Sequence, residues 1–275
     1  MYRFDPAAGL LGSPDSVYRM DFRSILFRGS LALGCLLALL PVHAAPQQTL
    51  RVTSDDWCPM ICQPVAEGGF GLALARMIAK EGGWQLRFEP MPLKRGRAYV
   101  EQGHYDMLPL VTRLGALKGT EPVFSLRACF YTLPGEHWTF NGPAALASIR
   151  LGRELGYQSV AEAGSPLEAA FERMKAEGRL DLVGGAEPGA LNLQKLLNRR
   201  VDAVLAERNN MRWLAGQAGE TVREAGCLEG RFAHYYAFSP HFPPEQLARW
   251  QRAQRKVLAS KAYQALQRRY GVVLD

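Results

Sequence analysis

The sequence predicts an α/β protein of two units, each with a parallel sheet covered by helices. Strand-like and helix-like segments alternate along the first part of the chain, and the alternation starts again near residue 149. Such alternation is typical of βαβ units. The 275 residues, 48% hydrophobic and 21% charged, exclude a disordered chain. The net charge of +7 is spread without a basic block, so we expect no nucleic-acid partner.

The N-terminal segment has the pattern of a secretory signal peptide. Arg23 and Arg28 precede an uncharged, mostly apolar run at 29–42. The run closes with Val42-His43-Ala44, a pattern that permits cleavage after Ala44. The run is shorter than the roughly 20 residues that span a membrane comfortably. We therefore expect a cleavable signal peptide at 1–44, with 1–19 a candidate start-site extension, and a periplasmic protein. An uncleaved anchor and a lipoprotein cut at Cys35 are the alternatives.

Apolar periodicity predicts the elements of the first unit in turn. Phe70, Leu74 and Ile78 recur at helical spacing, and Gly82 ends that helix. Strands are predicted where apolar and polar residues alternate or where a short apolar run is bounded by turns. The predicted elements are strands 50–54, 84–89 and 105–110 and helices 68–81 and 93–102.

The second unit repeats this order, and a tail follows it. Leu167, Phe171 and Met174 lie on one face of its first helix. The predicted strands of the unit are 149–155, 180–183 and 201–206, and its helices are 166–177, 190–198 and 208–216. The tail is predicted to hold strand 234–238 and helices 244–258 and 260–270.

Four cysteines remain after the predicted cleavage, and an even number in an exported protein favours disulfides. They are Cys58, Cys62, Cys129 and Cys227. Pairing Cys58 with Cys62 and Cys129 with Cys227 is simplest, although the sequence allows three pairings. A redox or metal site at 58–62 is the alternative. Its cysteines are three residues apart rather than the two of a thioredoxin motif, and no histidine is close in sequence.

The sequence contains no recognised catalytic motif. GxSxG, HExxH, P-loop and strand-to-helix GxGxxG patterns are all absent, and the five histidines are scattered. Asp55-Asp56 at a strand end is read as a turn or a helix cap rather than an acid–base pair. We therefore expect no catalytic residue, no cofactor and no metal.

Short motifs in a fixed order resemble the periplasmic solute-binding proteins of family 3, the polar amino acid type that serves ABC importers. The resemblance covers nearly all of the chain after the predicted signal peptide. The motifs are Trp57-Cys58-Pro59, Gly69-Phe70, Pro92-Leu93-Lys94-Arg95, Gly103-His104-Tyr105-Asp106, Phe124-Ser125, the segment 198–204 and the terminal helix 260–271.

The resemblance implies a two-lobe fold of the type II periplasmic-binding-protein kind, with two hinge crossovers and a central ligand cleft. Lobe 1 would comprise 45–128 plus 232–275, and lobe 2 would comprise 129–231 with the hinge strands. Cys129 and Cys227 would both lie near the crossovers. Their pairing is then plausible if their Cα atoms approach within about 7 Å.

The resemblance also implies the ligand-binding residues. Trp57 stands where the family has an aromatic residue that stacks on the ligand; a core tryptophan is the alternative. Glu207 matches the carboxylate that receives an α-ammonium group; an acid favoured by a helix N-terminus is the alternative. Arg95, Arg113 and Lys118 are candidates for the anion end of the ligand, each with a solvated surface cation as the alternative.

The sequence also departs from the family pattern. Of the residues at 109–112, only Thr112 offers a hydroxyl, and Gly156-Tyr157-Gln158 stands where the family has Gly-Ser-Thr. A larger or aromatic ligand therefore suits Trp57, Tyr105 and Tyr157 at least as well as a standard amino acid.

These observations predict a monomeric solute-binding protein that captures a small zwitterionic or anionic ligand, with an inner-membrane ABC permease as partner. Three alternatives stay open. One is a dehydratase-like enzyme with Glu207 as general acid. Another is a sensory or partner-binding module without transport. The third is a thiol-redox protein that uses Cys58 and Cys62.

Overall fold

The computed structural model describes residues 48–63, 65–155, 161–184 and 187–274. The predicted signal peptide and Tyr157 lie outside the described residues. None of the helices described is long and apolar enough to cross a membrane.

The described residues form eleven strands and seven α-helices. The strands are β1 Gln48–Ser54, β2 Trp84–Pro90, β3 Met107–Val111, β4 Lys118–Gly119, β5 Phe124–Leu126, β6 Ala128–Thr132, β7 Leu151–Glu154, β8 Leu180–Val183, β9 Ala203–Glu207, β10 Arg223–Cys227 and β11 Phe232–Phe238. The helices are α1 Phe70–Glu81, α2 Leu93–Glu101, α3 Pro166–Ala176, α4 Pro188–Leu197, α5 Arg208–Ala218, α6 Pro244–Leu258 and α7 Lys261–Tyr270.

The first sheet has the order β2-β1-β3-β11-β4, and β5 also pairs with β11. β1 is parallel to β2 and β3, whereas β11 is antiparallel to β3. Helix α1 packs on this sheet because its apolar face, with Phe70, Leu74 and Ile78, is buried in the core. The sheet and helices α1, α2, α6 and α7 form lobe 1.

The second sheet has the order β10-β6-β9-β7-β8. β7 is parallel to β8 and β9, whereas β6 is antiparallel to both of its neighbours. Separate apolar clusters form its core, one around Phe130 and Phe171 and one around Leu193 and Met211. This sheet and helices α3, α4 and α5 form lobe 2. Two lobes, each with its own sheet, confirm the α/β fold class expected from the sequence.

The chain passes between the two sheets twice. One crossing joins β5 to β6, and the other joins β10 to β11. Cys129 and Cys227 face each other in the register of β6 and β10, and their disulfide has a Cα–Cα distance of 3.8 Å. Cys58 and Cys62 form the second disulfide, with Cα atoms 4.6 Å apart. The structure therefore has the simpler of the pairings considered above.

Every predicted helix and strand within the described residues is present, with ends shifted by a few residues. Four strands were not predicted: β4, β5, β6 and β10. β6 is buried at all five positions and has no alternation to reveal it. The predicted lobe boundaries at 128/129 and 231/232 stay a prediction; the described chain changes sheets between Leu126 and Ala128 and between Cys227 and Phe232.

The two lobes contain the same ion-pair motif, although the sequence shows no repeat. In lobe 1, Asp106 accepts hydrogen bonds from the backbone N–H and the guanidinium of Arg51. In lobe 2, Asp202 accepts the same bonds from Arg150. Each guanidinium also donates to the carbonyl oxygen three residues before its aspartate, that of Gly103 or Arg199. The repeat consists of a backbone geometry and one ion pair, and the spacing of apolar residues reveals neither of them.

Arg199 adopts the left-handed conformation that Gly103 has in the equivalent turn, with φ of 55° against 81°. A side chain in this region costs about 1 kcal/mol, whereas glycine adopts it freely. We expect Arg199→Gly to raise the free energy of unfolding by about 0.5–1 kcal/mol. The lost ion pair with Glu136 is exposed on both sides and contributes little. Thermal unfolding at neutral pH measures the change.

Arg200→Gly is the matched control, since Arg200 is exposed and lies outside the left-handed region. There the glycine only adds freedom to the unfolded chain, so we expect a small loss of stability. A loss of stability in both variants would contradict the conclusion that the left-handed conformation of Arg199 costs stability.

Candidate functional site

The first parallel strand of each lobe has a carboxylate at or just beyond its carboxyl end. Asp55 follows β1, and Glu154 ends β7. They hold equivalent places in the two lobes, because each lies four residues after the arginine of the repeated ion pair, Arg51 or Arg150. In open parallel sheets, ligands bind at the carboxyl ends of strands. The equivalent carboxylates therefore mark the candidate site between the lobes.

The charge of Asp55 acts on Glu154, so the two carboxylates are electrostatically coupled. Burial, and then the charge of Asp55, raise the pKa of Glu154 to about 7. Burial also raises the pKa of Asp55, against hydrogen bonds from its own backbone and from Ser54. Like charges coupled in this way are stabilised when one of them takes up a proton or when a cation binds near them.

Trp57 is held at the same edge of lobe 1 by a tight loop. Its backbone N–H donates to the Ile61 carbonyl at 2.6 Å, its own carbonyl accepts from Met60 and Ile61, and the Cys58–Cys62 disulfide closes the loop. The Trp57 ring is partly buried and packs against the lobe 1 core. The structure thus supports the alternative considered from the sequence, a tryptophan packed on the core, and the ligand-stacking role of Trp57 stays a prediction.

His234 stacks on Trp57, with ring centroids 5.4 Å apart and an interplanar angle of 23°. On the other side it contacts Phe124 at 5.7 Å. His234 Nδ1 lies 2.8 Å from the Phe232 carbonyl oxygen, which can only accept, so Nδ1 carries the proton. Burial lowers the pKa of His234 to about 4, and the ring is neutral at neutral pH. The Trp57 ring therefore rests on an uncharged aromatic surface.

Glu207 is the N-cap of α5. One carboxylate oxygen accepts from the backbone N–H of Asn209 at 2.9 Å and from its Nδ2 at 2.8 Å, and the other accepts from the backbone N–H of Asn210 at 2.9 Å. The side chain is buried, and burial raises its pKa to about 7 against these hydrogen bonds. The structure thus supports the alternative considered from the sequence, an acid at a helix N-terminus. Its ligand role stays a prediction.

The three candidate cations lie in different places. Arg95 is exposed on α2, and Arg113 is exposed two residues beyond the carboxyl end of β3. Lys118 donates to the Phe242 carbonyl at 3.0 Å, and it pairs with Phe238, whose other partner is Met107 at the amino end of β3. Met107 also pairs with Val52, so the Lys118 backbone lies level with a residue three positions before Asp55. None of these placements tests ligand binding.

Sequence reasoning missed Glu154, His234, Asn209 and Asn210, and it read Asp55 as a turn residue. A signal did exist for the acids, namely the shared spacing of four residues after Arg51 and Arg150. Gly189 shows how tightly lobe 2 packs here, since a Cβ at that position would lie 3.0 Å from both the Glu154 carboxylate and the Asn210 side-chain oxygen.

One group near the hinge has the composition of a metal site, but its chemistry does not fit one. Cys129, Cys227 and Glu224 lie close together. The two sulfurs are joined in a disulfide, which removes the thiolates that a metal would bind. Glu224 instead pairs with Arg208 at 2.9 Å.

No protein-family model matches the sequence, and no curated protein matches it. Solved structures do match. A histidine kinase sensor domain with similarity to periplasmic binding proteins is 16% identical with a TM-score of 0.65, and the match covers 83% of this chain and 99% of that one. An ancestral arginine-binding protein bound to arginine is 19% identical with a TM-score of 0.64, over 81% of this chain and 97% of that one.

A third structure is the ancestral amino acid-binding protein AncCDT-1, a precursor of cyclohexadienyl dehydratase. It is 17% identical with a TM-score of 0.59, over 81% of this chain and 94% of that one. At these identities the likeness establishes the fold, which is the two-lobe, periplasmic-binding-protein-like fold that the resemblance predicted.

The raised pKa of Glu154 has a consequence for stability. Its pKa lies near 7 in the folded protein and near 4.5 in the unfolded chain, so the folded state holds more protons between these values. The free energy of unfolding therefore falls as pH rises from about 4.5 to 7. We expect Glu154→Gln to stabilise the protein at pH 8 by about 1–3 kcal/mol and to have little effect at pH 4. Urea unfolding at both pH values measures this.

Glu162→Gln, an exposed position in lobe 2, is the control and should change stability at neither pH. An equal effect of Glu154→Gln at pH 4 and pH 8 would refute the assignment, because a packing effect is independent of protonation.

Proposed function

We propose that this protein is an exported two-lobe binding protein that captures a small amino-acid-like ligand carrying an additional positive group. The observation that carries the proposal is the pair Asp55 and Glu154, contributed from equivalent positions of the two lobes. A cationic group between them offsets the repulsion of two partly buried carboxylates. This favours a zwitterion with a basic side chain over the anionic ligand also considered from the sequence.

Neighbouring groups suit such a ligand. Trp57 offers an aromatic face beside the acids, and a planar or ammonium cation is attracted to such a face. His234 beneath it adds no positive charge at neutral pH, because burial lowers its pKa to about 4. Arg113 and Arg95 remain the candidates for the ligand carboxylate, since a guanidinium binds a carboxylate through two parallel hydrogen bonds. Lys118 stays a candidate as well, although its ammonium group donates to the Phe242 carbonyl, and Tyr157 stays a candidate from sequence alone.

Transport belongs to the same proposal. Export to the periplasm rests on the signal-peptide pattern at 1–44, and delivery by a monomer to an inner-membrane ABC permease rests on the resemblance to family 3. Amino-acid-binding proteins with the same fold support the binding role.

A sensory module without transport is the second candidate, favoured by the likeness to a histidine kinase sensor domain. The hypothesis that the protein is a dehydratase-like enzyme is supported only by the likeness to a dehydratase precursor. Glu207, its proposed general acid, already accepts hydrogen bonds on both oxygens.

A thermal-shift screen of protein stripped of carried-over ligand tests the proposal. The panel holds arginine, lysine, ornithine, histidine, glutamine and glutamate. We expect the basic amino acids to raise the melting temperature and glutamate not to, since a ligand at 100 times its Kd adds about 2.7 kcal/mol. Asp55→Asn should then weaken binding of the best ligand roughly 10- to 100-fold by calorimetry, because it removes a charge-assisted hydrogen bond.

Asp56→Asn is the matched control, because Asp56 is exposed and accepts its bonds from Gln63. It should bind the ligand as the wild type does. A shift with glutamate alone, or unchanged affinity in Asp55→Asn, would overturn the proposed ligand class. Consumption of the ligand during the assay would favour the enzyme instead.

A further inference from the structure

The first turn of α5, in lobe 2, reaches two separate segments of lobe 1. Asn210 Nδ2 donates to the Cys58 carbonyl at 2.8 Å. Asn209 makes a paired contact with Val273: its Nδ2 donates to the carbonyl at 3.0 Å, and its Oδ1 accepts from the backbone N–H at 2.7 Å. Two consecutive side chains therefore make three hydrogen bonds across the boundary between the lobes.

The two contacted segments are fixed in lobe 1. Cys58 belongs to the loop closed by the Cys58–Cys62 disulfide, and the carbonyls of Pro59 and Met60 in that loop accept from the first N–H groups of α1. Val273 lies between Val272 and Leu274, which pack against the lobe 1 core. The hydrogen bonds of α5 therefore connect to lobe 1 as a whole rather than to a loose loop or tail.

Glu207 orients both asparagines. Its carboxylate holds the backbone N–H groups of Asn209 and Asn210, and it takes one of the two Nδ2 hydrogens of Asn209. The other Nδ2 hydrogen is thereby directed at Val273. Both asparagines are buried, with 4% and 8% of their surface exposed, so their amides depend on these partners.

We propose that Asn209 and Asn210 form a latch that fastens lobe 2 to lobe 1, and that Glu207 is the positioning residue of this latch. Separation of the lobes at this edge would exchange three internal hydrogen bonds for bonds to water. Each internal bond is worth a modest net amount, so losing all three should shift the ratio of closed to open molecules roughly 10- to 100-fold. The latch acts on the lobes themselves and does not depend on which ligand binds.

Double electron–electron resonance between the lobes tests the latch without any ligand. The spin labels go on cysteines introduced at Lys94 in α2 and Leu191 in α4, both exposed. The four cysteines of the described residues are all in disulfides and do not take up label. We expect the wild type to populate a short interlobe distance and the Asn209→Ala/Asn210→Ala double variant to shift toward a longer one.

Asn198→Ala is the control, because Asn198 donates only to the Gln194 carbonyl within lobe 2 among the bonds described. It should give the wild-type distance distribution. Glu207→Gln should lengthen the distance in the same direction as the double variant, since an amide group cannot accept all three bonds. A purely structural role for Glu207 would lower the melting temperature and leave the distance unchanged.

Asn210→Ala alone is the second variant if the double variant does not fold, because it removes the bond to Cys58 without adding a charge. A distance distribution identical to that of the wild type, in a folded Asn209→Ala/Asn210→Ala or Asn210→Ala variant, would overturn the latch. A failed ligand screen would leave this result untouched, so the two proposals fail separately.

Discussion

The two crossings between the sheets are the constraint on which the rest of the structure depends. A single residue, Arg127, separates β5 from β6, and four residues separate β10 from β11. The crossings pair side by side as antiparallel strands on both sides of the boundary, and Cys129–Cys227 joins them. Connections this short hold the lobes beside each other at one border. Trp57 stacks on His234 of β11, and Glu207 pairs with Ala128 of β6, so residues distant in sequence come together beside the crossings in the candidate site.

Within this arrangement the lobes have the same internal construction. The Arg51–Asp106 and Arg150–Asp202 pairs tie the first parallel strand of each lobe to the turn that precedes another of its strands. Exposed ion pairs of this kind add little stability by themselves. Backbone bonds accompany them, because Asp106 and Asp202 each exchange hydrogen bonds with the backbone of Arg51 or Arg150, and these bonds hold each turn beside its strand.

The sequence was sufficient for the helices and the parallel strands, because apolar spacing is a local property. It did not reveal β6, which is buried on both faces, or β4 and β5, which are too short for a pattern. For the candidate site, too, local patterns indicated some residues and missed others. Trp57 and Glu207 were predicted through the family resemblance of the motifs around them, and their ligand roles stay predictions. The pairing of Asp55 with Glu154, the capping role of Glu207 and the reach of Asn209 to Val273 depend on how two lobes meet, which no local pattern records.

The disulfide between Cys129 and Cys227 also closes the chain of lobe 2 into a covalent ring. The two cysteines are 98 residues apart in sequence, and the bond makes a ring of the chain between them. A protease that cuts this ring once leaves both fragments attached to the molecule. The nicked protein therefore keeps its full mass until a reductant opens the ring. Lobe 2 is thus protected against loss by a single cut, whereas a cut in the stretches outside the ring has no such safeguard from this bond.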